Sequence, residues 1–166
     1  MSNNIPYSTQ SVNKSDIKAV VKTLKSGFLS QGPTTLNFEK QMSKLTKSKY
    51  AISANSATSG LHLVCLALGL SKKDLVWVSS ISFVATANCA AHCGSKIDFV
   101  DINNDTFNIC INSLEQKLNI AKKNKKLPNV LIVVHLGGLP SDMKKIYKLS
   151  RKFGFVIIED ASHALG

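Results

Sequence analysis

Phe155-Val156-Ile157-Ile158-Glu159-Asp160-Ala161-Ser162-His163-Ala164-Leu165-Gly166 decides the fold. Four apolar residues run straight into two carboxylates, the pattern of a strand buried on both faces that surfaces at the edge of a parallel sheet. In α/β proteins that edge is where ligands bind. Asp160 is therefore the leading candidate for a functional residue. On this stretch alone its carboxylate serves several ends: holding a proton on a ring nitrogen, fixing a ribose hydroxyl, coordinating a metal, or capping a helix that begins at Ala161. Taken in isolation the segment favours the cap, which needs no ligand.

Working outward, apolar runs over residues 75–81, 96–102 and 129–136 alternate with helical patterns over 61–68, through Cys93, over 112–123 and over 140–153. Lys49 to Ala54 reads as a further short strand. Strands and helices alternating at this spacing predict right-handed crossovers and a mainly parallel sheet with flanking helices, an α/β fold. At the N-terminal end, residues 1 to 15 read as an arm. Ser15-Asp16 is expected to cap a helix running to about Ser26, with Ile17, Val20, Val21 and Leu24 on one face. Gly27 closes it, and a second helix follows with Leu36, Phe38, Met42 and Leu45. The expected organisation is an arm and helix over 1–26, then a single α/β domain over 27–166.

Asn55-Ser56-Ala57-Thr58-Ser59-Gly60 stands between the 49–54 run and a helical pattern. Small hydroxylated residues at a helix start leave backbone N–H groups pointing outward at the positive end of the helix dipole, which suits an anion. The glycine spacing and Gly-Lys-Ser/Thr ending of a nucleotide-hydrolase phosphate loop are missing. A plain serine cap is the competing reading. Cys89, His92 and Cys93 fall on one helix, but without the paired knuckles of a structural zinc site, so a buried apolar helix is the better reading. His135 ends a strand beside Gly137-Gly138, where it either faces the strand-end crevice or is a satisfied structural histidine.

Composition narrows the classes further. The 166 residues are 44% hydrophobic and carry a net charge of +11, with four cysteines. That is one domain's worth of chain with enough apolar residues for a core. The basic residues are 20 lysines and a single arginine, Arg151. Bidentate phosphate and base recognition favours arginine, so nucleic acid is not expected as a partner. No apolar run reaches membrane-spanning length and Met1-Ser2-Asn3-Asn4 is polar, so neither a membrane segment nor a leader is expected. A cytoplasmic protein with reduced thiols is the expectation.

Taken together, Asn55 to Leu61, Ser82-Phe83-Val84-Ala85-Thr86-Ala87-Asn88, Phe99-Val100-Asp101-Ile102 with Asp105 to Asn108, Val134-His135-Leu136 and Glu159 to Ala164 resemble one family, in order along nearly the whole chain. It is the pyridoxal-phosphate-dependent aminotransferases acting on nucleotide sugars. The resemblance implies the large domain of a fold-type I transferase, with pyridoxal 5'-phosphate as cofactor. It places Ala57 and Thr58 at the cofactor phosphate and Phe83 against the pyridine ring. Asp160 falls on the protonated ring nitrogen, which stays cationic and accepts electrons during transamination. His163 falls near the ring's phenolic oxygen.

Ile81 to Cys89 and Ile158 to Ala164 are similar to the branch that aminates a UDP-linked 4-keto sugar on the way to pseudaminic-acid-type surface sugars. By resemblance the partners are the nucleotide sugar, an amino donor expected to be glutamate, and a second copy in a homodimer. Two positions depart from the family: Leu139 stands where glutamine is frequent, and Ser80 where proline is. The family's lysine, which holds the cofactor covalently, lies beyond the segment matching Asp160, and none of the 20 lysines falls there. The chain is thus expected to be an N-terminal part, without the small C-terminal domain and inactive alone. The alternative is a non-catalytic phosphate- or nucleotide-binding α/β module or a truncated remnant.

Overall fold

The computed structural model describes Pro6 and residues 9–165. The arm read over residues 1 to 15 lies partly outside them. The chain divides into two compact units, Met1–Ser53 and Ala54–Gly166.

In the first unit, helix α1 spans Lys14–Leu24 and helix α2 spans Pro33–Thr46. The residue capping α1 is Asn13, not Ser15. The Asn13 side chain accepts from the Ser15 and Asp16 N–H groups at 2.8 and 3.2 Å, and Asp16 accepts the Asn13 N–H at 2.8 Å. The pair forms a reciprocal capping box, in which Asp16 is the third helical residue rather than the cap. Pro33 opens α2, where its missing N–H costs nothing.

The expected strand at Lys49–Ala54 does not form. Among the described residues it has no strand partner. The Ser53 N–H and hydroxyl both donate to Glu39 Oε1, each at 2.8 Å. A side chain of α2 thus takes the donor that a ladder needs, and the segment stays unpaired.

The second unit holds helix α3 (Ala57–Ala67), strand β1 (Leu75–Ser79), helix α4 (Val84–His92), strand β2 (Lys96–Val100), helix α5 (Ile111–Lys123), strand β3 (Val130–Val134), helix α6 (Met143–Phe153) and strand β4 (Val156–Asp160). The four strands form one parallel sheet in the order β2-β1-β3-β4. β1 leads to β2 on one side while the later strands build on the other. The ligand crevice of such a sheet opens at the carboxyl ends of the strands, where the order reverses.

Side chains alternate across each strand, so the sheet carries a core on each face. Trp77, Leu131 and Val133 pack with Leu114 and Leu118 of α5 and Ile146, Leu149 and Phe153 of α6. Val76, Val78, Val130, Ile132 and Ile158 pack with Leu61 and Cys65 of α3 and Cys89 and Ala90 of α4. β3 is buried along its whole length, as its unbroken Val-Leu-Ile-Val-Val run requires.

Helix α6 begins three residues later than the pattern over 140–153 suggests. Ser141 is held out of it: its hydroxyl donates to the Val134 carbonyl at 3.0 Å and its N–H to His135 Nδ1 at 3.1 Å. Asp142 then caps the helix by accepting the Lys145 N–H at 3.2 Å. Gly154 ends it in the left-handed conformation, φ 82°, a position that favours glycine.

Candidate active site at the carboxyl edge of the sheet

β4 delivers Glu159 and Asp160 to the edge on opposite faces. Ile158 belongs to the core under α3 and α4, so Asp160, two residues on, lies on that same side. Glu159 follows Ile157 onto the α5–α6 side.

Glu159 Oε2 stands 2.9 Å from His135 Nε2. Since His135 Nδ1 accepts the Ser141 N–H, the hydrogen-bond pattern assigns the ring proton to Nε2, which donates to Glu159. Both nitrogens of this buried ring are engaged. His135 is the satisfied structural histidine, tying β3 to the start of α6.

Asp160 is 7% exposed. Oδ2 accepts the Thr86 hydroxyl at 2.7 Å. Oδ1 accepts the Ser162 hydroxyl at 2.6 Å and the Ser162 N–H at 3.3 Å. No helix begins at Ala161; a turn closes instead, with the Ala164 N–H donating to the Ala161 carbonyl at 2.9 Å. The helix-cap reading of Asp160 therefore falls. A carboxylate offers about four lone-pair positions. Three are used here, and Oδ2 keeps one.

Thr86 is fully buried, at 0% exposure, in the first turn of α4. Neither it nor Ser162 was singled out by pattern, although a lone β-branched hydroxyl among alanines is the available signal. A buried hydroxyl needs a partner.

At the start of α3, Ser56 is the cap: its hydroxyl accepts the Ser59 N–H at 3.1 Å and its carbonyl the Gly60 N–H at 3.0 Å. The Ala57 and Thr58 N–H groups have no acceptor among the described residues. Both residues are exposed. Phe83, the residue before α4, is 70% exposed, with its ring uncovered. The Phe83 carbonyl accepts the Thr86 N–H at 3.0 Å. The His163 side chain is exposed. Its backbone lies against Gly138, where a Cβ would come within 2.9 Å of the His163 carbonyl oxygen, so that glycine is required by close approach.

Asn108 also ties the edge together, donating to the Leu139 carbonyl at 2.8 Å and accepting the Leu136 N–H at 3.0 Å. Leu139 itself is exposed. Among the described residues no group of three or more His, Cys, Asp or Glu side chains is placed to hold a metal ion. The Cys89 and Cys93 thiols point back along α4, to the Thr86 and Cys89 carbonyls at 3.2 and 3.5 Å.

Residues 10–166 match the DegT/DnrJ/EryC1/StrS aminotransferase family. The chain belongs to this family. It is 41% identical, over 162 residues, to the UDP-4-amino-4,6-dideoxy-N-acetyl-beta-L-altrosamine transaminase of Campylobacter jejuni, covering 98% of this chain and 42% of that one. Its fold matches that of Helicobacter pylori PseC, an aminotransferase involved in the biosynthesis of pseudoaminic acid. The TM-score is 0.88 at 32% identity, over 97% of this chain and 42% of that one. It also matches the PLP-form of Spr1654 from Streptococcus pneumoniae, with a TM-score of 0.86 at 30% identity over 98% of this chain and 44% of that one.

The chain therefore spans about two fifths of the length of these relatives. Pyridoxal 5'-phosphate is the cofactor of the DegT/DnrJ/EryC1/StrS aminotransferases, and Spr1654 is known in both PLP- and PMP-forms. The α/β architecture with a parallel sheet is the one these sugar aminotransferases share.

The residues present fit such a cofactor on two counts. A buried, hydrogen-bonded carboxylate with a spare lone pair suits a protonated ring nitrogen. Two unengaged N–H groups at a helix start suit a phosphate.

The four thiols give a separate expectation. Cys110, half-buried before α5, is lowered from the ordinary thiol range by the Ser113 hydroxyl and N–H beside it. Cys65 is buried and pushed up by the neighbouring Cys89 thiol and by burial; Cys89 is buried; burial pushes Cys93 up. With iodoacetamide at neutral pH, Cys110 is expected to alkylate first, as followed by peptide mass spectrometry. Equal or faster labelling of Cys65 would contradict the packing of α3 on α4.

Proposed function

We propose that this chain is the N-terminal part of an aminotransferase that moves an amino group from glutamate to a UDP-linked 4-keto sugar, in the making of pseudaminic-acid-type surface sugars. Family membership and the altrosamine transaminase relative support the reaction and the sugar class. The single observation that carries the site is Asp160: a buried carboxylate at the carboxyl end of β4, held by Thr86 and Ser162, with one acceptor position left.

When bound, pyridoxal phosphate supplies an electron sink for the carbanion formed at the amino-bearing carbon. In this reading the Ala57 and Thr58 N–H groups bind its phosphate at the start of α3. Phe83 covers one ring face. Asp160 holds the proton on the ring nitrogen, because an adjacent carboxylate raises that nitrogen's pKa. His163 stands near the phenolic oxygen. Because the chain spans about two fifths of its relatives' length, the lysine that moves the proton between the two carbons and the small domain fall, in this reading, in the remainder, and the 166 residues alone are expected to be inactive. The working protein is a cytoplasmic homodimer.

The test compares the 166-residue chain with the same chain extended through the lysine, each mixed with pyridoxal phosphate. A visible absorption band in the extended protein alone, fixed covalently by borohydride, is expected. A folded extended protein that never develops the band would overturn the enzyme reading. Phosphate-ligand binding without it would favour the non-catalytic module.

A further inference from the structure

Thr86 is a buried side chain of α4 that hydrogen-bonds to Asp160. The two residues are 74 positions apart, yet Thr86 Oγ1 lies 2.7 Å from Asp160 Oδ2 in a fully buried contact. The hydroxyl hydrogen can point to only one acceptor, and the carboxylate takes it. The Thr86 N–H meanwhile donates to the Phe83 carbonyl at 3.0 Å, and the Thr86 carbonyl accepts the Cys89 thiol at 3.2 Å. The main chain on both sides of the hydroxyl is thus pinned. One turn of α4 carries both the exposed aromatic ring of Phe83 and the donor to Asp160.

We propose that Thr86 is a positioning residue for the cofactor's ring nitrogen, acting through Asp160. The proposal rests on the reading of Asp160 given above. The Thr86 hydrogen bond fixes the rotation of the carboxyl plane from the Oδ2 side, as Ser162 fixes it from the Oδ1 side. Together they leave Oδ2 with a single open acceptor position. Any ligand proton that Asp160 holds is held there, at an orientation Thr86 sets. Removing the hydroxyl frees the plane to turn, so that Oδ2 no longer holds its open acceptor position towards the ring nitrogen.

The experiment uses the protein as its source expresses it, with pyridoxal phosphate labelled with nitrogen-15 in the ring. Cofactor affinity and the ring-nitrogen chemical shift are followed against pH in the parent, Thr86→Val, Thr86→Ser and Asp160→Ala. Thr86→Val is isosteric but lacks the donor. It is expected to bind about tenfold more weakly, as loss of a hydrogen bond to a charged group implies, with the ring nitrogen losing its proton at lower pH. Thr86→Ser keeps the hydroxyl and is expected to follow the parent in the shift profile.

If Thr86→Val matches the parent in both measurements while Asp160→Ala loses affinity, Thr86 has no positioning role and the inference fails. If Asp160→Ala itself matches the parent, the reading of Asp160 fails instead. Should Thr86→Val not fold, Thr86→Ser and Thr86→Ala decide the matter. Identical ring-nitrogen profiles for those two overturn the inference, and a parent-like profile for serine alone supports it.

Discussion

Asp160→Ala is expected to weaken pyridoxal phosphate binding by about 100-fold, the scale of truncating one partner of a buried, hydrogen-bonded charge pair. The effect has two sources. The ring nitrogen loses its counter-charge, and the Thr86 and Ser162 hydroxyls lose their acceptor inside the protein. The second source also lowers stability, by about 1–3 kcal/mol for the buried Thr86 donor left unsatisfied; the exposed Ser162 turns to water. A melting curve beside the binding isotherm separates the two.

Glu159→Ala is the internal control. Glu159 lies on the other face of β4, against His135, and is expected to leave cofactor affinity unchanged. A loss for Glu159→Ala equal to that for Asp160→Ala would mean that the wrong acid has been assigned. Asp160→Asn is expected to resemble alanine in binding. Its amide can still accept from Thr86, but it carries no charge and presents N–H donors towards Ser162.

The second large effect is on stability. Leu131 and Ile132 are neighbours on β3, both at 0% exposure, yet they belong to different cores. Leu131→Ala opens a cavity under α5 and α6; Ile132→Ala opens one under α3 and α4. Each is expected to cost about 3 kcal/mol, measurable as a lower urea midpoint. The chain's single tryptophan, Trp77, is 2% exposed and sits in the Leu131 core, so its fluorescence reports unfolding directly. Surface replacement of Lys122, in the solvated end of α5, is expected to stay within about 0.5 kcal/mol. If either core variant unfolded at the parent's midpoint, the two-faced packing of β3 would be wrong.

The second unit was legible because its signals are local. The unbroken apolar run at β3 is what a strand covered on both faces requires, whereas the similar run at β4 belongs to an edge strand with Val156 47% exposed; the spacing of Ile146, Leu149 and Phe153 gives α6 one buried stripe. The segment at Lys49–Ala54 looks like a strand because β-like composition says nothing of where the backbone donors go, and Glu39 is 14 residues away from the Ser53 it satisfies. The same limit hid the partner of Asp160. Strand-end position marks the carboxylate as a candidate, but a contact spanning 74 residues depends on how α4 packs over the sheet. His135 stayed ambiguous until both ring nitrogens had partners, one of them a main-chain N–H that leaves no trace in composition.

The two faces of β4 make spacing matter as much as chemistry. Deleting Glu159 would shorten the strand by one step and turn Asp160 towards His135, although every residue named for the site would still be present. An insertion at the same place would do likewise. Around Ile158 the chain is therefore expected to tolerate exchange of side chains far better than any change in length, and a mutational scan that includes single-codon deletions would show a sharp intolerance there.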